Sequence, residues 1–230
     1  MKSIAIITAR GGSKRIPKKN IKDFMGKPMI AYAIEAGLES NVFEEVMVST
    51  DCSEIAEVAK KYGAQVPFMR SEKTSDDFAT TFDVLDEVLT EYRKIGKEFD
   101  TICCIYPCVP FLSSKTLKNA HDKLISSNND ALFPVVKYSF PIQRAFIMNS
   151  KNLLKYREPE NAIKRSQDLE ETYHDCGMFY YFKADKFYES NSLVLQKTMG
   201  YVINEMEMQD IDTDEDWKTA EMKYKILKYA

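Results

Sequence analysis

The sequence predicts an α/β fold, with a doubly wound, mostly parallel sheet between two layers of helices. Short apolar runs alternate with amphipathic stretches through the first half of the chain, which is the pattern of successive βαβ units. The first run, SIAIIT at residues 3–8, is apolar throughout, as expected of a strand covered on both faces. With 230 residues and 44% hydrophobic content, the chain can bury a sizeable core. We therefore expect one domain over residues 1–230.

The elements of the first half follow from the period of their apolar residues. They are a strand at 3–8, a helix at 28–40, a strand at 46–50, a helix ending at Tyr62, a strand at 65–70, a helix at 80–95 and a strand at 101–106. Gly63 supplies the stop signal after the second helix. Pro67 lacks a backbone N–H, so we expect the strand at 65–70 to lie at a sheet edge.

The second half contains further elements and one segment of a different kind. The predicted elements are a helix at 113–126, strands at 131–138, 177–182 and 201–208, and a final helix. That helix begins at Thr213 with Asp216 as its capping partner, and Trp217, Ala220, Tyr224 and Leu227 share one face. Residues 139–175 show neither helical nor strand period and carry two prolines and a long charged stretch. We expect them to form an excursion from the sheet, either a hairpin arm or an interface element.

Charge and composition argue against several classes of protein. Lys and Arg total 32 and Asp and Glu total 35, giving a net charge of −3, so the chain as a whole has no attraction for nucleic acid or an anionic membrane. The apolar run before Arg10 is too short for a secretion signal or a membrane span, which predicts a cytoplasmic protein. The five cysteines form no CxxC pair, so neither a zinc site nor a disulfide framework is expected.

The stretch ARGGSKRIPKKN, residues 9–20, is the basic loop that follows the first strand. Open α/β sheets bind ligands at the carboxyl ends of their strands, where this loop begins. Gly11 and Gly12 permit positive φ angles that would turn backbone N–H groups toward an anion. The cations around them are Arg10, Lys14, Arg15, Lys18 and Lys19. The loop matches neither the Walker A nor the dinucleotide pattern, so it indicates either a polyphosphate site or a solvated basic turn.

Two carboxylates near the carboxyl terminus suggest a metal site. On extended chain, Asp210 and Asp212 would point to the same side, about 6.5 Å apart. Mg²⁺ takes one or two protein carboxylates together with water and substrate oxygens, so this pair beside a triphosphate would suffice. The alternative is that Asp212 assists the cap of the final helix while Asp210 is solvated.

At the basic loop the chain resembles the CMP-sialic acid synthetases, the cytidylyltransferases that activate nine-carbon 2-keto sugar acids. The resemblance continues in order through residues 22–36, 48–51, 55–70, 74–77, 106–111, 165–181 and 210–216. YPCVPF at 106–111 and Cys176 before Gly177 depart from the sialic acid branch. Together with FPIQRA at 140–145 and YHDCGMFYY at 173–181, they are most similar to the pseudaminic acid branch, which serves bacterial surface glycosylation.

This resemblance implies a Rossmann-like sheet of the nucleotidyltransferase type with an inserted arm, and the reaction of CTP with a sugar acid to give a CMP-sugar and pyrophosphate. It implies that Arg10, Lys14 and Lys19 are catalytic, because they would hold the triphosphate and compensate its negative charge. The nucleotide-binding residues it implies are Ala9, Arg10, Gly11, Gly12, Ser13, Lys14, Lys19, Asn20, Arg70, Ser75 and Asp76.

The same resemblance assigns the sugar side, the metal and the assembly. Arg165 would bind the sugar carboxylate, and the other substrate-binding residues would be Tyr106, Gln143, Arg144 and Tyr180. Asp210 and Asp212 would hold Mg²⁺. Residues 139–175 would pack against a second subunit in a homodimer.

Three other functions compete with CTP-dependent activation of pseudaminic acid. The acceptor could instead be N-acetylneuraminate or legionaminate. The enzyme could be a nucleotidyltransferase that uses UTP or GTP with a sugar 1-phosphate. A regulator that binds a nucleotide without turnover is the third, and the paired Asp210 and Asp212 argue against it.

Overall fold

The computed structural model describes residues 1–190 and 192–229. Its strands are β1 (Ser3–Thr8), β2 (Asp23–Phe24), β3 (Lys27–Pro28), β4 (Glu45–Ser49), β5 (Thr101–Ile105), β6 (Ala131–Lys137), β7 (Phe146–Met148), β8 (Leu154–Tyr156), β9 (Tyr173–Asp175), β10 (Phe179–Lys183) and β11 (Thr198–Val202). Its helices are α1 (Met29–Glu39), α2 (Ser53–Lys61), α3 (Thr81–Lys94), α4 (Ser114–Ile125), α5 (Ala184–Glu189) and α6 (Asp214–Tyr229).

The main sheet has the strand order β11-β6-β10-β5-β1-β4, and β9 pairs with β6 beside this path. β1 runs parallel to both of its neighbours, β4 and β5. β11 runs parallel to β6, whereas β10 is antiparallel to β5 and β6. The predicted α/β fold with a mostly parallel sheet is therefore confirmed.

Helices cover both faces of the sheet. Residues such as Ile30 of α1, Ala59 of α2 and Leu117 of α4 pack on one face. Leu85 and Tyr92 of α3 pack with α5 on the other. Every residue from Ile4 to Ile7 is buried, as the uninterrupted apolar run predicted.

A third, smaller cluster fixes α6 against the β2–β3 hairpin. Phe24 at the hairpin meets Trp217 edge to face, with ring centroids 5.4 Å apart, and meets Tyr224 at 5.6 Å. The predicted cap is present, because the Asp216 carboxylate accepts from Thr213 N at 2.8 Å. Leu227 is exposed, so its predicted place on the buried face is wrong; the last turn of α6 runs past the cluster.

Two predicted strands differ from the structure. Residues 65–70 form no ladder, and only Gln65 bridges to Met47 of β4. Pro67 has no N–H to donate to a neighbouring strand, and Arg70 N donates to Thr50 O, just beyond β4, at 2.9 Å. The strand predicted at 201–208 lies earlier, at β11, because Asn204 accepts from Met206 N at 2.9 Å and caps a 3₁₀ turn.

Residues 139–175 form the segment that we call the arm. It contains the β7–β8 hairpin and several 3₁₀ turns, and it returns to the main sheet at β9. Phe146, Ile147, Met148 and Leu154 of the hairpin are exposed. No helix in residues 1–190 and 192–229 is long and apolar enough to cross a bilayer.

Candidate active site

A cleft of about 650 Å³ lies at the carboxyl ends of β1 and β5. The basic loop forms one wall, the segment from Thr74 to the first turn of α3 forms the opposite wall, and Tyr106 follows β5 at the floor. The predicted site residues that line this cleft are Arg10, Gly12, Ser13, Lys14, Lys19, Asn20, Arg70, Asp76, Tyr106 and Asp212. Residues 9–20 and 212 therefore meet in one cavity, although they are almost the length of the chain apart.

Hydrogen bonds at both ends fix the basic loop. Ala9 is buried, and its N–H donates to Ser49 O at the end of β4 (2.9 Å). Asn20 is buried as well, and its side-chain amide donates to Arg10 O at 3.0 Å. Ser13 Oγ donates to Ile16 O at 2.6 Å. Ala9, Ser13 and Asn20 thus shape the loop through bonds within the chain.

The two glycines of the loop do not have the positive φ angles that we predicted. Gly11 is required by a close approach instead, because a Cβ there would lie 2.9 Å from Cys52 Cβ. Its N–H donates to the Asp51 carboxylate at 2.7 Å, so it does not face an anion site. A Cβ on Gly12, by contrast, would meet no atom within 4 Å. The predicted nest of glycine N–H groups is therefore wrong.

Arg10 and Lys14 face the opposite wall of the cleft. Arg10 Nη1 donates to Asp77 Oδ1 at 2.8 Å and to Asp76 O at 3.0 Å. Lys14 Nζ bonds to the second oxygen of the same Asp77 carboxylate. These contacts place two cations side by side at the mouth of the cleft. Lys18 points elsewhere and pairs with Glu54 at 2.6 Å.

Arg15 and Lys19 form a second cationic pair, on the side of α6. Arg15 Nη2 lies 3.0 Å from Asp212 Oδ1, and Lys19 Nζ lies 3.5 Å from the same oxygen. Lys19 Nζ also donates to Ile211 O at 2.6 Å, which ties the basic loop to the segment before α6. The loop thus supplies positive charge to both ends of the cleft.

Of the two carboxylates predicted to hold a metal, Asp212 lines the cleft, where it pairs with Arg15 and Lys19, and Asp210 does not line it. Burial raises the pKa of Asp210, and the charge of Asp212 adds to the shift, while Lys19 and Arg15 act against it. Two carboxylates that repel each other gain from a shared cation. No cluster of three or more His, Cys, Asp or Glu side chains suited to a metal occurs in residues 1–190 and 192–229. Both side chains carry oxygen donors of the kind that a hard cation takes together with water and phosphate oxygens.

Arg70 lies at the floor of the cleft and is 8% exposed. Its Nε donates to Ser49 Oγ at 2.9 Å and its Nη2 to Ser49 O at 2.6 Å. Burial lowers the pKa of the guanidinium, and the nearby carboxylates of Asp51 and Glu87 oppose that shift. The end of β4 therefore holds a desolvated positive charge in a fixed orientation.

Asp76 and Asp77 of the TSDD stretch have different roles. Ser75 Oγ donates to Ser71 O and does not line the cleft. The Asp76 carboxylate accepts from Phe78 N and Ala79 N, so it shapes a turn, whereas Asp77 projects across the cleft. Asp77 was not among the predicted site residues. Its sequence signal is only that it adjoins Asp76, and nothing in the sequence shows which of the two faces the basic loop.

Thr80 and Thr81 were also missed, although a helix start is readable there. Thr80 and Asp83 form a reciprocal capping box at the start of α3. Thr81 Oγ1 lies 3.1 Å from the hydroxyl of Tyr106, and both residues line the cleft. The first turn of α3 thus fixes the Tyr106 ring at the cleft floor.

Tyr180 does not line the cleft. It is buried, its hydroxyl donates to Asp175 Oδ2 at 2.7 Å, and its ring lies edge to face with Tyr106 at 5.4 Å. Burial raises the pKa of this phenol. Tyr180 therefore supports Tyr106 from behind.

The three predicted substrate residues of the arm lie outside the cleft. Gln143 Nε2 donates to Glu170 O at 2.9 Å, and Arg144 Nη1 donates to Ser166 Oγ at 3.3 Å. Arg165 forms a two-bond ion pair with Asp168, at 2.8 and 3.0 Å. All three bond within the arm, so the structure of one chain does not bring them to the basic loop.

Comparisons with known proteins agree with this fold. The family model described as "Cytidylyltransferase" matches residues 4–229. The chain is 40% identical to the pseudaminic acid cytidylyltransferase of Campylobacter jejuni, over 98% of this chain and 97% of that protein. It is 34% identical to the CMP-N,N'-diacetyllegionaminic acid synthase of Legionella pneumophila, over 96% and 95%.

A solved structure supports the fold independently. It is a CMP:2-keto-3-deoxy-manno-octonic acid synthetase complexed with CTP, and it aligns with a TM-score of 0.70. The alignment covers 98% of this chain and 99% of that one at 19% identity, so it bears on the fold alone. From the family match over nearly all of its length and from its relatives, the chain belongs to the cytidylyltransferase family and is a nucleotidyltransferase.

Proposed function

We propose that this enzyme transfers the cytidylyl group of CTP to pseudaminic acid, a nine-carbon 2-keto sugar acid, and releases pyrophosphate. The observation that supports the nucleotide assignment is the cleft itself, where cations of the basic loop face the late carboxylate of Asp212. The acceptor rests on the 40% identity, over nearly the full length of both chains, with a relative named for that sugar.

The reaction requires positioning and charge stabilisation more than covalent chemistry. The anomeric hydroxyl of the sugar acid attacks the α-phosphorus in line, and the bond from that phosphorus to the β-phosphate oxygen breaks as the hydroxyl proton leaves. Arg10 and Lys14 would hold the phosphate tail at the mouth of the cleft, and Lys19 would approach it from the α6 side. Removing one such preorganised donor costs on the order of 100-fold in rate.

Arg70 would act differently from the loop cations, because it is buried and already bonded to Ser49. Its charge is little screened by solvent, so it stabilises an anion at the floor of the cleft without reorganising. We place the nucleotide over Arg70 and Tyr106, with its phosphates along the basic loop. Ala9, Gly11, Ser13 and Asn20 would then contribute by fixing the shape of that loop.

Cytidylyltransferases of this fold typically use a divalent metal. We propose that the metal is Mg²⁺ and that Asp210 and Asp212 hold it, since two carboxylates plus phosphate oxygens satisfy its preference. Held by these carboxylates, the ion would supply positive charge that stabilises pyrophosphate as the leaving group. Arg15 and Lys19 both contact Asp212, so they would hold that carboxylate toward the cleft.

The sugar side of the site would be completed by a second copy of the chain. Gln143, Arg144 and Arg165 bond within the arm and lie outside the cleft of their own chain. The hairpin of that arm exposes consecutive apolar residues, with Met148 61% exposed. Exposed apolar patches of this kind mark interaction sites. We therefore propose a homodimer in which each arm reaches the partner's cleft, so that Arg165 meets the sugar carboxylate there.

Legionaminic and N-acetylneuraminic acids are the competing acceptors, because relatives named for them are 34% and 36% identical to this chain. Pyrophosphate release with CTP, Mg²⁺ and each of the three sugar acids in parallel separates these functions. We expect the largest kcat/KM with pseudaminic acid. A larger value with either of the other acids would overturn the acceptor assignment, and release with UTP or GTP but not CTP would overturn the nucleotide assignment.

A further inference from the structure

Asp77 has no place in the proposed reaction, yet it contacts two of the cations that the reaction needs. One carboxylate oxygen accepts from Arg10 Nη1 at 2.8 Å, and the other bonds to Lys14. The side chain of Asp77 is about half exposed, and those of Arg10 and Lys14 are 40% and 75% exposed. A carboxylate therefore lies where the phosphate tail of CTP would lie.

The segment 76–79 that carries Asp77 is held across the cleft by these same contacts. Within the segment, the Asp76 carboxylate accepts from Phe78 N and Ala79 N, which fixes the local turn only. Phe78 is 90% exposed and gives the segment no anchor in the core. Among the hydrogen bonds and ion pairs of the described residues, only those from Arg10 and Lys14 join this turn to the basic loop.

We propose that Asp77 competes with the phosphate tail for Arg10 and Lys14, so that CTP displaces it on binding and it returns as pyrophosphate leaves. This inference rests on the proposed function, which places the triphosphate on the same two side chains. Exposed ion pairs are weak, whereas a triphosphate brings several charges to the same cations, so the exchange favours the nucleotide. A product with a single phosphate brings less negative charge to Arg10 and Lys14 than a triphosphate does. Asp77 therefore also favours binding of the triphosphate over binding of that product.

The charge state of Asp77 suits this exchange. Hydrogen bonds from Lys14 and then Arg10 lower the pKa of the carboxyl, so it remains ionised near neutral pH. The opposite role would be a support that aims Arg10 and Lys14 at the phosphates. The two roles predict opposite changes in CTP affinity when the charge of Asp77 is removed. Loss of a competitor strengthens CTP binding, whereas loss of a support weakens it.

Calorimetric titration of the Asp77→Asn variant with CTP and Mg²⁺ shows whether the Kd for CTP falls or rises. We expect the Kd for CTP to fall by roughly threefold to tenfold, the range expected for losing two exposed ion pairs, and the Kd for pyrophosphate to fall similarly. Asp77→Ala should give the same direction, and circular dichroism verifies that both variants fold. The matched control is Glu54→Gln, which breaks the equally exposed Lys18 pair outside the cleft and should leave both Kd values unchanged.

A fluorescent reporter separates direct competition from a mere change in local charge. Phe78→Trp places an indole on the exposed turn, and its signal is read by difference from the parent that carries only Trp217. If CTP displaces Asp77, it changes the emission of the introduced indole, and adding Asp77→Asn removes most of that change. An undiminished change in the double variant would overturn the proposal.

The failures of the two proposals are distinguishable. Wild-type protein that binds CTP, together with an Asp77→Asn variant that binds it equally or more weakly, would overturn the competition and leave the proposed function intact. Wild-type protein that does not bind CTP in the presence of Mg²⁺ would overturn the proposed function and, with it, the role of Asp77.

Discussion

The substitution Gly11→Ala tests whether the basic loop is held in place by its contact with the next loop. The added methyl would lie 2.9 Å from Cys52 Cβ, and ordinary contacts begin near 3.4 Å, so one loop has to retreat by about 0.5 Å. Cys52 directly precedes α2, and Gly11 N is bonded to Asp51 at 2.7 Å. We expect the strain to fall on the basic loop, whose residues Gly12, Lys14 and Arg15 are exposed.

The magnitude follows from this displacement. Overpacking of this kind costs about 1 to 3 kcal/mol in the free energy of unfolding. A misplacement of about 1 Å costs on the order of 100-fold in rate, so half of that predicts a loss on the order of tenfold in kcat/KM for CTP. The assay is pyrophosphate release at varied CTP, with urea unfolding measured in parallel.

A second substitution at Cys52 gives the control. Cys52→Ala keeps the Cβ that clashes, whereas Cys52→Gly removes it. We therefore expect Cys52→Gly to restore most of the activity of Gly11→Ala, and Cys52→Ala to restore little. Unchanged kcat/KM in Gly11→Ala, or equal rescue by both substitutions, would refute the reasoning.

Three further predictions concern the metal pair, acid stability and the arm. Asp212→Asn should unfold at a similar urea concentration to the wild type, because the ion pairs of a partly exposed carboxylate carry little stability, yet lose Mg²⁺-dependent pyrophosphate release; retained release would remove the metal assignment. Burial would raise the pKa of Glu87, but hydrogen bonds from Ser71 and Thr74 outweigh it and lower the pKa from 4.5. The ionised Glu87 thus contributes fully to the free energy of unfolding above pH 4.5, and this contribution is lost as the pH falls through the lowered pKa. The free energies of unfolding of wild type and Glu87→Gln, measured in urea, should therefore differ at neutral pH and converge in acid. Met148→Asp should shift the protein from dimer to monomer in sedimentation experiments, and a dimer that persists would exclude the β7–β8 hairpin as the interface.

Local sequence patterns predicted the parts of this molecule that depend on local structure. An uninterrupted apolar run specified β1, and the position of the basic loop after it placed Arg10 and Lys14 in the cleft. The pairing of Thr213 with Asp216 depends on a three-residue spacing, and it was also readable.

What the sequence did not show depends on contacts between distant segments. Gly11 reads like a turn glycine, and only the approach of Cys52, which is remote in sequence, reveals why a Cβ is excluded. Asp76 and Asp77 are chemically identical, and the turn that separates their roles depends on which carboxylate caps Phe78 N and Ala79 N. The three arm residues were predicted from resemblance alone, and the fold of one chain leaves them away from the cleft.

The bond from Lys19 Nζ to Ile211 O joins residues 192 positions apart. During translation the ribosome must synthesise nearly the whole polypeptide before the two sides of the cleft can come into contact. A nascent or prematurely terminated product that stops short of residue 211 would carry an intact basic loop but no opposing carboxylate at residue 212. If Asp212 holds the metal as proposed, incomplete copies would not release pyrophosphate, even if they still bound nucleotides.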